Sequence, residues 1–331
     1  MGRDENVDFS FTKRLAVVIG SAALLAGCGG TSAMTSMIAQ PAQYGGTNQA
    51  FQQSTFGDSS GRTVIYIGNI DGQPGLGNVM VYPSGLQQHN PAPLRTIQQG
   101  TTRPSGLWVD NTGTLFVANL PQGAPSIGVT EFHPGASQPF QTLTDQLSDP
   151  QQVAVAKDGT VYVNQAINDE DFVTVFAPGS TRALATVDSH FGGYALDPGE
   201  MAFDPHGNLI FSAETFRNGA HIFKMTPGSL TIKELNVNVG VDAEGLAIDG
   251  AGIMYVSGFF NAPGIQVFAP GAKNPTRTIN HGATALTVKS DGTLYAMTES
   301  GVSEYAPGGS EPVNSFSAPV QGFGIALGPV R

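Results

Sequence analysis

Six short runs of alternating apolar residues in this chain each end at a Pro-Gly-type turn. They are Val79–Tyr82 before Pro83-Ser84-Gly85, Val129–Phe132 before Pro134-Gly135, Val173–Phe176 before Pro178-Gly179, Ile222–Met225 before Pro227-Gly228, Ile265–Phe268 before Pro270-Gly271, and Val302–Tyr305 before Pro307-Gly308. Self-similarity at such a period means that one supersecondary unit is used repeatedly. A unit that cannot bury its apolar faces alone must stack on its neighbours.

A second element alternates with the first: Gly106–Asn119, Gln152–Gln165, Glu200–Ala213, Gly245–Gly258 and Ala285–Thr298. Each reads as a strand, a tight turn and a strand. Gly113, Gly159, Gly207, Gly252 and Gly292 fall in register, as expected where a hairpin turn needs a positive φ. The two elements together give four strands per copy, a to d, and strand a begins at residues 106, 152, 200, 245, 285 and 324. That spacing of roughly 40 to 50 residues is the spacing of a β-propeller blade. Helical solenoids of similar period are excluded, because these runs alternate with period two and are cut by Gly or Pro.

The first copy has strands b (Val64–Asn69), c (Val79–Tyr82) and d (Leu94–Ile97) but no strand a, whereas the chain ends in an orphan strand a at Gly324–Leu327. The expectation is an all-β, six-bladed propeller of four-stranded antiparallel blades, closed by the C-terminal strand joining the N-terminal blade. Closure leaves no open sheet edge. Strand directions alternate, so the short a–b and c–d turns share one face. The b–c and d–a connections, variable in length and chemistry, share the other, and a site is expected there.

Strand a also carries a packing pattern. Large residues (Leu107 and Val109 in the first full copy) flank a position occupied by Trp108, Ala154, Ala202, Ala247, Thr287 or Ala326. Small residues there are expected to admit aromatic rings of an adjacent blade, such as Phe116, Tyr162, Tyr255 or Tyr295. Trp108 is read as filling a core gap rather than as a ligand-stacking platform.

Polar residues on the variable face are the candidates for chemistry. Glu200 and Glu244 begin strand a in neighbouring blades, His190 and His281 lie in d–a connections, and Asp169 and Glu214 lie in b–c loops. Two carboxylates and two imidazoles near a channel suit Ca²⁺ or another divalent cation, or acid–base work. Hydrogen-bonded or solvated loop residues are the competing reading, and on that reading no cofactor is expected. Asn69, Asn119 and Gln165 recur at the end of strand b, where amides satisfy loop backbone or meet sugar or peptide ligands. The Asp-x-x-Gly stretches at Asp110, Asp204 and Asp249 lack the acidic spacing of calcium loops and read as turn chemistry.

At the N-terminus, Lys13 and Arg14 precede an apolar run, Leu15 to Ala26, that is too short to span a bilayer. It ends in Leu25-Ala26-Gly27-Cys28, which resembles the lipobox of bacterial lipoproteins; Cys28 is the one cysteine of the chain. The resemblance implies a signal peptide over 1–27, lipidation of Cys28 and membrane anchoring. Gly29 rather than Asp follows the cysteine, which in that family favours the outer membrane or cell surface over inner-membrane retention. Residues 28–61, rich in Gly, Ser, Thr, Gln and Ala, read as a flexible tether, and 62–331 as the propeller. Fifteen basic residues against 26 acidic ones, a net charge of −11, argue against nucleic acid as a partner. The expected partners are the membrane, through Cys28, and a protein, peptide or glycan ligand of a monomeric chain.

Gly245–Asp249 with Met254–Ser257, and Gly106–Asp110 with Leu115–Asn119, resemble the repeats of NHL-type six-bladed propellers, and the likeness extends over 63 to 328. The Gly-His and Trp-Asp pairing of WD40 repeats is absent. Two functions follow from different classes. One is a noncatalytic envelope module that binds through the variable face. The other is a metal-dependent enzyme similar to the gluconolactonase or virginiamycin B lyase propellers; no motif outside the generic repeat carries their functional residues over.

Overall fold

In the computed structural model the described residues are 63–70, 77–85, 91–121, 127–167, 170–188, 196–215, 219–240, 243–258, 264–318, 322 and 324–329. The chain divides into Met1–Thr47 and Asn48–Arg331, and every described residue lies in the second unit. The lipobox, Cys28 and the tether therefore lie outside the described residues.

The strands, in chain order, are β1 (Thr63–Asn69), β2 (Asn78–Pro83), β3 (Arg95–Ile97), β4 (Pro104–Val109), β5 (Leu115–Asn119), β6 (Gly128–Phe132), β7 (Gln141–Leu143) and β8 (Asp149–Val155). There follow β9 (Val161–Ile167), β10 (Glu170–Phe176), β11 (Ala183–Asp188), β12 (Leu196–Phe203), β13 (Leu209–Thr215), β14 (Gly219–Thr226), β15 (Thr231–Leu235) and β16 (Gly245–Ile248). The last are β17 (Met254–Ser257), β18 (Ile265–Phe268), β19 (Arg277–Ile279), β20 (Ala285–Val288), β21 (Leu294–Thr298), β22 (Gly301–Tyr305), β23 (Pro312–Ser317) and β24 (Ile325–Pro329).

They assemble into six four-stranded sheets, the blades of a propeller. Blades 2 to 6 are sequence-local meanders: β4 to β7, β8 to β11, β12 to β15, β16 to β19 and β20 to β23. Blade 1 has the order β24-β1-β2-β3, with Ile65 opposite Leu327 and Ile67 opposite Ile325. The C-terminal strand thus supplies the innermost strand of the N-terminal blade, and the ring is closed as expected.

The hairpin glycines adopt the required conformation; φ is 87° at Gly113 and 81° at Gly252. Asp249 Oδ1 accepts from the backbone N–H of Ala251 and Ile253, both at 2.9 Å, and Asp110 and Asp204 do the same in their turns. These aspartates build turns on the uniform face, in agreement with the sequence reading.

The core lies between blades. Val64, Tyr66 and Ala326 of blade 1 pack on Leu107, Val109 and Val117 of blade 2, and Ala247 and Tyr255 of blade 5 pack on Leu286 and Val288 of blade 6. This revises one packing expectation. Ala247 is the cross-strand partner of Tyr255, Ala154 of Tyr162 and Thr287 of Tyr295, so small residue and ring share one face of one blade. The small side chain clears room beside the ring for the large pair of the next blade, instead of admitting that blade's ring. Trp108 is buried and meets Phe203, two blades on, edge to face at 5.7 Å, as a core residue does.

Candidate functional site

Inner strands begin at the variable-face end of the axis, and there polar contacts join blades 2, 3, 4 and 5 in turn. The Ser105 hydroxyl donates to Gln151 O at 2.7 Å, linking blades 2 and 3. Asn164 Nδ2 donates to Gly199 O at 3.4 Å, linking blades 3 and 4, and Glu200 N donates to Glu244 O at 3.2 Å, linking blades 4 and 5. Blades approach closely here. A Cβ on Gly324 would lie 2.7 Å from Ser105 O, and one on Gly106 would lie 2.7 Å from Gln151 O.

Glu200 occupies the repeat position of those glycines and carries the one long acidic side chain in that series. It is buried, and its Oε2 accepts from Leu246 N at 2.7 Å and from Leu286 N at 3.2 Å. One oxygen thereby ties blade 4 to blades 5 and 6. The two donors are inward-facing N–H groups of innermost strands, which have no further strand to bond. Burial raises the Glu200 carboxyl well above the usual carboxylate range; the two backbone donors oppose that rise, and the nearby Glu244 charge adds to it. The result is a buried acid that holds its proton more tightly than an exposed carboxyl does.

The other candidates separate. Glu244, half-buried, stays beside Glu200. His281 follows β19 toward the rim, where its Nε2 lies 3.6 Å from Glu311 Oε2 and its ring 6.1 Å from that of Tyr305. It does not join the axial pair. Glu214 belongs to β13, opposite Asp197, and His190 and Asp169 lie outside the described residues. The two acidic residues that follow Asp169 belong to the sheet, since β10 begins at Glu170 and Asp171 is buried.

Asn119 is committed to its own blade. Its Oδ1 accepts from Thr102 N at 3.0 Å, and its Nδ2 reaches Val117 O, Gly128 O and the Thr130 hydroxyl. Gln165 repeats the device in blade 3, accepting from Ser148 N and donating to Gln146 O and the Thr174 hydroxyl. Both amides clamp the preceding d–a connection against the end of strand b.

Sequence reasoning missed Ser105 and Asn164. Asn164 has a visible signal: its repeat position reads Gly68, Ala118, Asn164, Ser212, Ser257 and Met297, so polar residues recur at a buried strand position. Among the described residues no group of three or more His, Cys, Asp or Glu side chains is placed to hold a metal ion.

Fold and axial geometry together define the chain as a six-bladed β-propeller, a class of scaffold and not an activity. Among solved structures it is similar to Kuenenia stuttgartiensis hydrazine synthase, at 13% identity over 77% of this chain and 80% of that one, with a TM-score of 0.55. It is also similar to a gluconolactonase from Xanthomonas campestris, at 15% identity over 66% of this chain and 77% of that one, with a TM-score of 0.53. No protein-family model matches the chain, and no curated protein does. Likeness at these identities is likeness of fold.

Proposed function

We propose that this protein is a lipid-anchored binding module of the cell envelope, held through Cys28 on the outer membrane or cell surface, that takes a protein, peptide or glycan ligand on its variable face. The observation that carries this reading is the division of labour between the two ends of the disc. At one end the turns repeat with the same glycines and aspartates. At the other, connections differ from blade to blade, and buried amides, Asn119 and Gln165, tie the d–a connections that lead into blades 2 and 3 to the sheet. A rigid frame that presents dissimilar polar loops is suited to recognition.

The test is binding of the purified protein to panels of envelope glycans and peptides, repeated with Gln98, Gln99, Glu299 and Ser300 replaced by Ala. These exposed residues lie in variable-face connections. Binding that is lost in the variants supports the module; binding indifferent to them removes the face from consideration.

A second reading rests on Glu200. A buried carboxyl at the axis, held above the usual carboxylate range beside Glu244, suits general-acid chemistry. It accords with the alternative of a lactonase-like hydrolase or lyase with a divalent cation in the channel. Elemental analysis separates the two. Stoichiometric Ca²⁺ or Zn²⁺ that is lost on Glu200→Gln favours the enzyme, and metal-free protein with intact ligand binding favours the module.

A further inference from the structure

One position of the repeat is apolar where solvent should favour polar residues. It lies at the start of strand d, the outermost of each blade, three residues before the residue that pairs with the start of strand c. That residue is buried in blades 1, 2, 5 and 6 and partly buried in blades 3 and 4. Counted back from that residue, the position is Leu94, Phe140, Leu184, Ile232, Thr276 and Val313, with Leu184 and Val313 at β-bulges. Leu184 is 66% exposed, Leu94 61%, Val313 53% and Phe140 46%. These are the exposed large hydrophobic residues among those described, and they belong to blades 6, 1, 2 and 3, consecutive around the ring. Ile232 of blade 4 is partly covered, and in blade 5 the position is Thr276. Isolated apolar surface residues are ordinary, but four in one register on adjacent blades form an arc.

Strand d starts beside the c–d turn, so the arc lies at the uniform-turn end of the rim, opposite the variable face. The chain also enters the propeller at this end. Ser84 N, in the c–d turn of blade 1, donates to Thr63 O at 2.9 Å, and Thr63 begins β1. Blade 1 lies within the arc. Residues 29 to 62, a tether by the sequence reading, separate Cys28 from Thr63, and on that reading their reach is about 30 Å.

We propose that the arc formed by Leu94, Phe140, Leu184 and Val313 is a membrane-docking edge, which seats the propeller on the bilayer that holds the lipidated Cys28. This rests on the anchor reading above. The tether keeps the disc within reach of the lipid, and the arc selects which end meets it. Apolar side chains with the exposed Arg182 near Leu184 suit the interfacial zone of a phospholipid surface, where side chains insert shallowly. The net negative charge of the chain means that the apolar contacts, rather than a basic patch, hold it there. The variable face then points away from the membrane.

The test is hydrogen exchange by mass spectrometry on the membrane-extracted full chain, free in detergent and reconstituted in phosphatidylethanolamine–phosphatidylglycerol vesicles. The mass of the N-terminal peptide reports acylation of Cys28 separately. If that thiol is free, the anchor reading fails, and the same protein is coupled through Cys28 to a maleimide-bearing lipid so that the docking edge is still tested. The proposal expects several-fold slower exchange on vesicles in 95–97, 141–143 and 312–317, with 298–301 unchanged. It also expects that gain to vanish when Leu94, Phe140, Leu184 and Val313 are all replaced by Ser. Uniform exchange with and without vesicles overturns it, as does protection of 298–301 instead. Protection that depends on protein concentration without lipid assigns the arc to a second copy of the chain and likewise overturns it.

Discussion

Among the described residues, Glu200 is the carboxyl that burial shifts most strongly. A carboxyl whose folded pKa stands above its unfolded value binds more protons when folded, so its contribution is full below the ordinary value of 4.5 and is lost as pH rises through the folded value. Glu200→Gln keeps an oxygen to accept from Leu246 and Leu286 and removes the titration. Thermal melts from about pH 4 to about pH 7 should show wild type losing stability relative to this variant as pH rises. Parallel curves would mean that the carboxyl does not titrate in that window. Glu200→Ala leaves two N–H donors without their acceptor and is expected to cost about 2 to 4 kcal/mol in denaturant unfolding at any pH.

Among the elements, the glycine positions differ in what they protect. Gly264 immediately precedes β18 with φ of 113°, and a Cβ there would lie 2.1 Å from Ile279 O, the end of the neighbouring strand. Gly271, in the c–d turn with φ of 73°, faces open space. Gly271→Ala therefore meets only the left-handed backbone cost of about 1 to 2 kcal/mol, whereas Gly264→Ala must also force neighbouring strands away from each other. Urea midpoints should fall clearly further for Gly264→Ala; equal losses would contradict the close approach. The strand and turn framework was legible in the sequence because hairpin glycines, turn aspartates and period-two alternation are local signals. The destination of Glu200 was not, since alignment of repeats places a residue on its own blade without saying which neighbours it reaches. His281 shows the same limit: its connection was assigned to the proper end, but its side chain turns to the rim. The aromatic packing was misread for a related reason, because period two states that Ala247 and Tyr255 are buried without stating that they share a face.

The described propeller is held by contacts between sectors rather than by a central core, so its stability depends on an unbroken circle. Deleting residues 321 to 331 removes β24, uncovers Ile65 and Ile67 of β1 and breaks the apolar layers with blades 6 and 2. The deletion should lower the melting temperature sharply and produce association in light scattering, since β1 becomes an exposed edge. A truncated chain that melts like the intact one and stays monomeric would show that closure adds nothing.

The pairing of β1 with β24 brings together the first and the last strands, separated by almost the entire propeller sequence. A chain synthesised N-terminus first leaves the inner edge of β1 unpaired until β24 has emerged. Intermediate sectors can form as they arrive, but the circle is sealed only after all of them. Such long-range pairing makes the final step slow and leaves a half-built product open to misassociation in the interval.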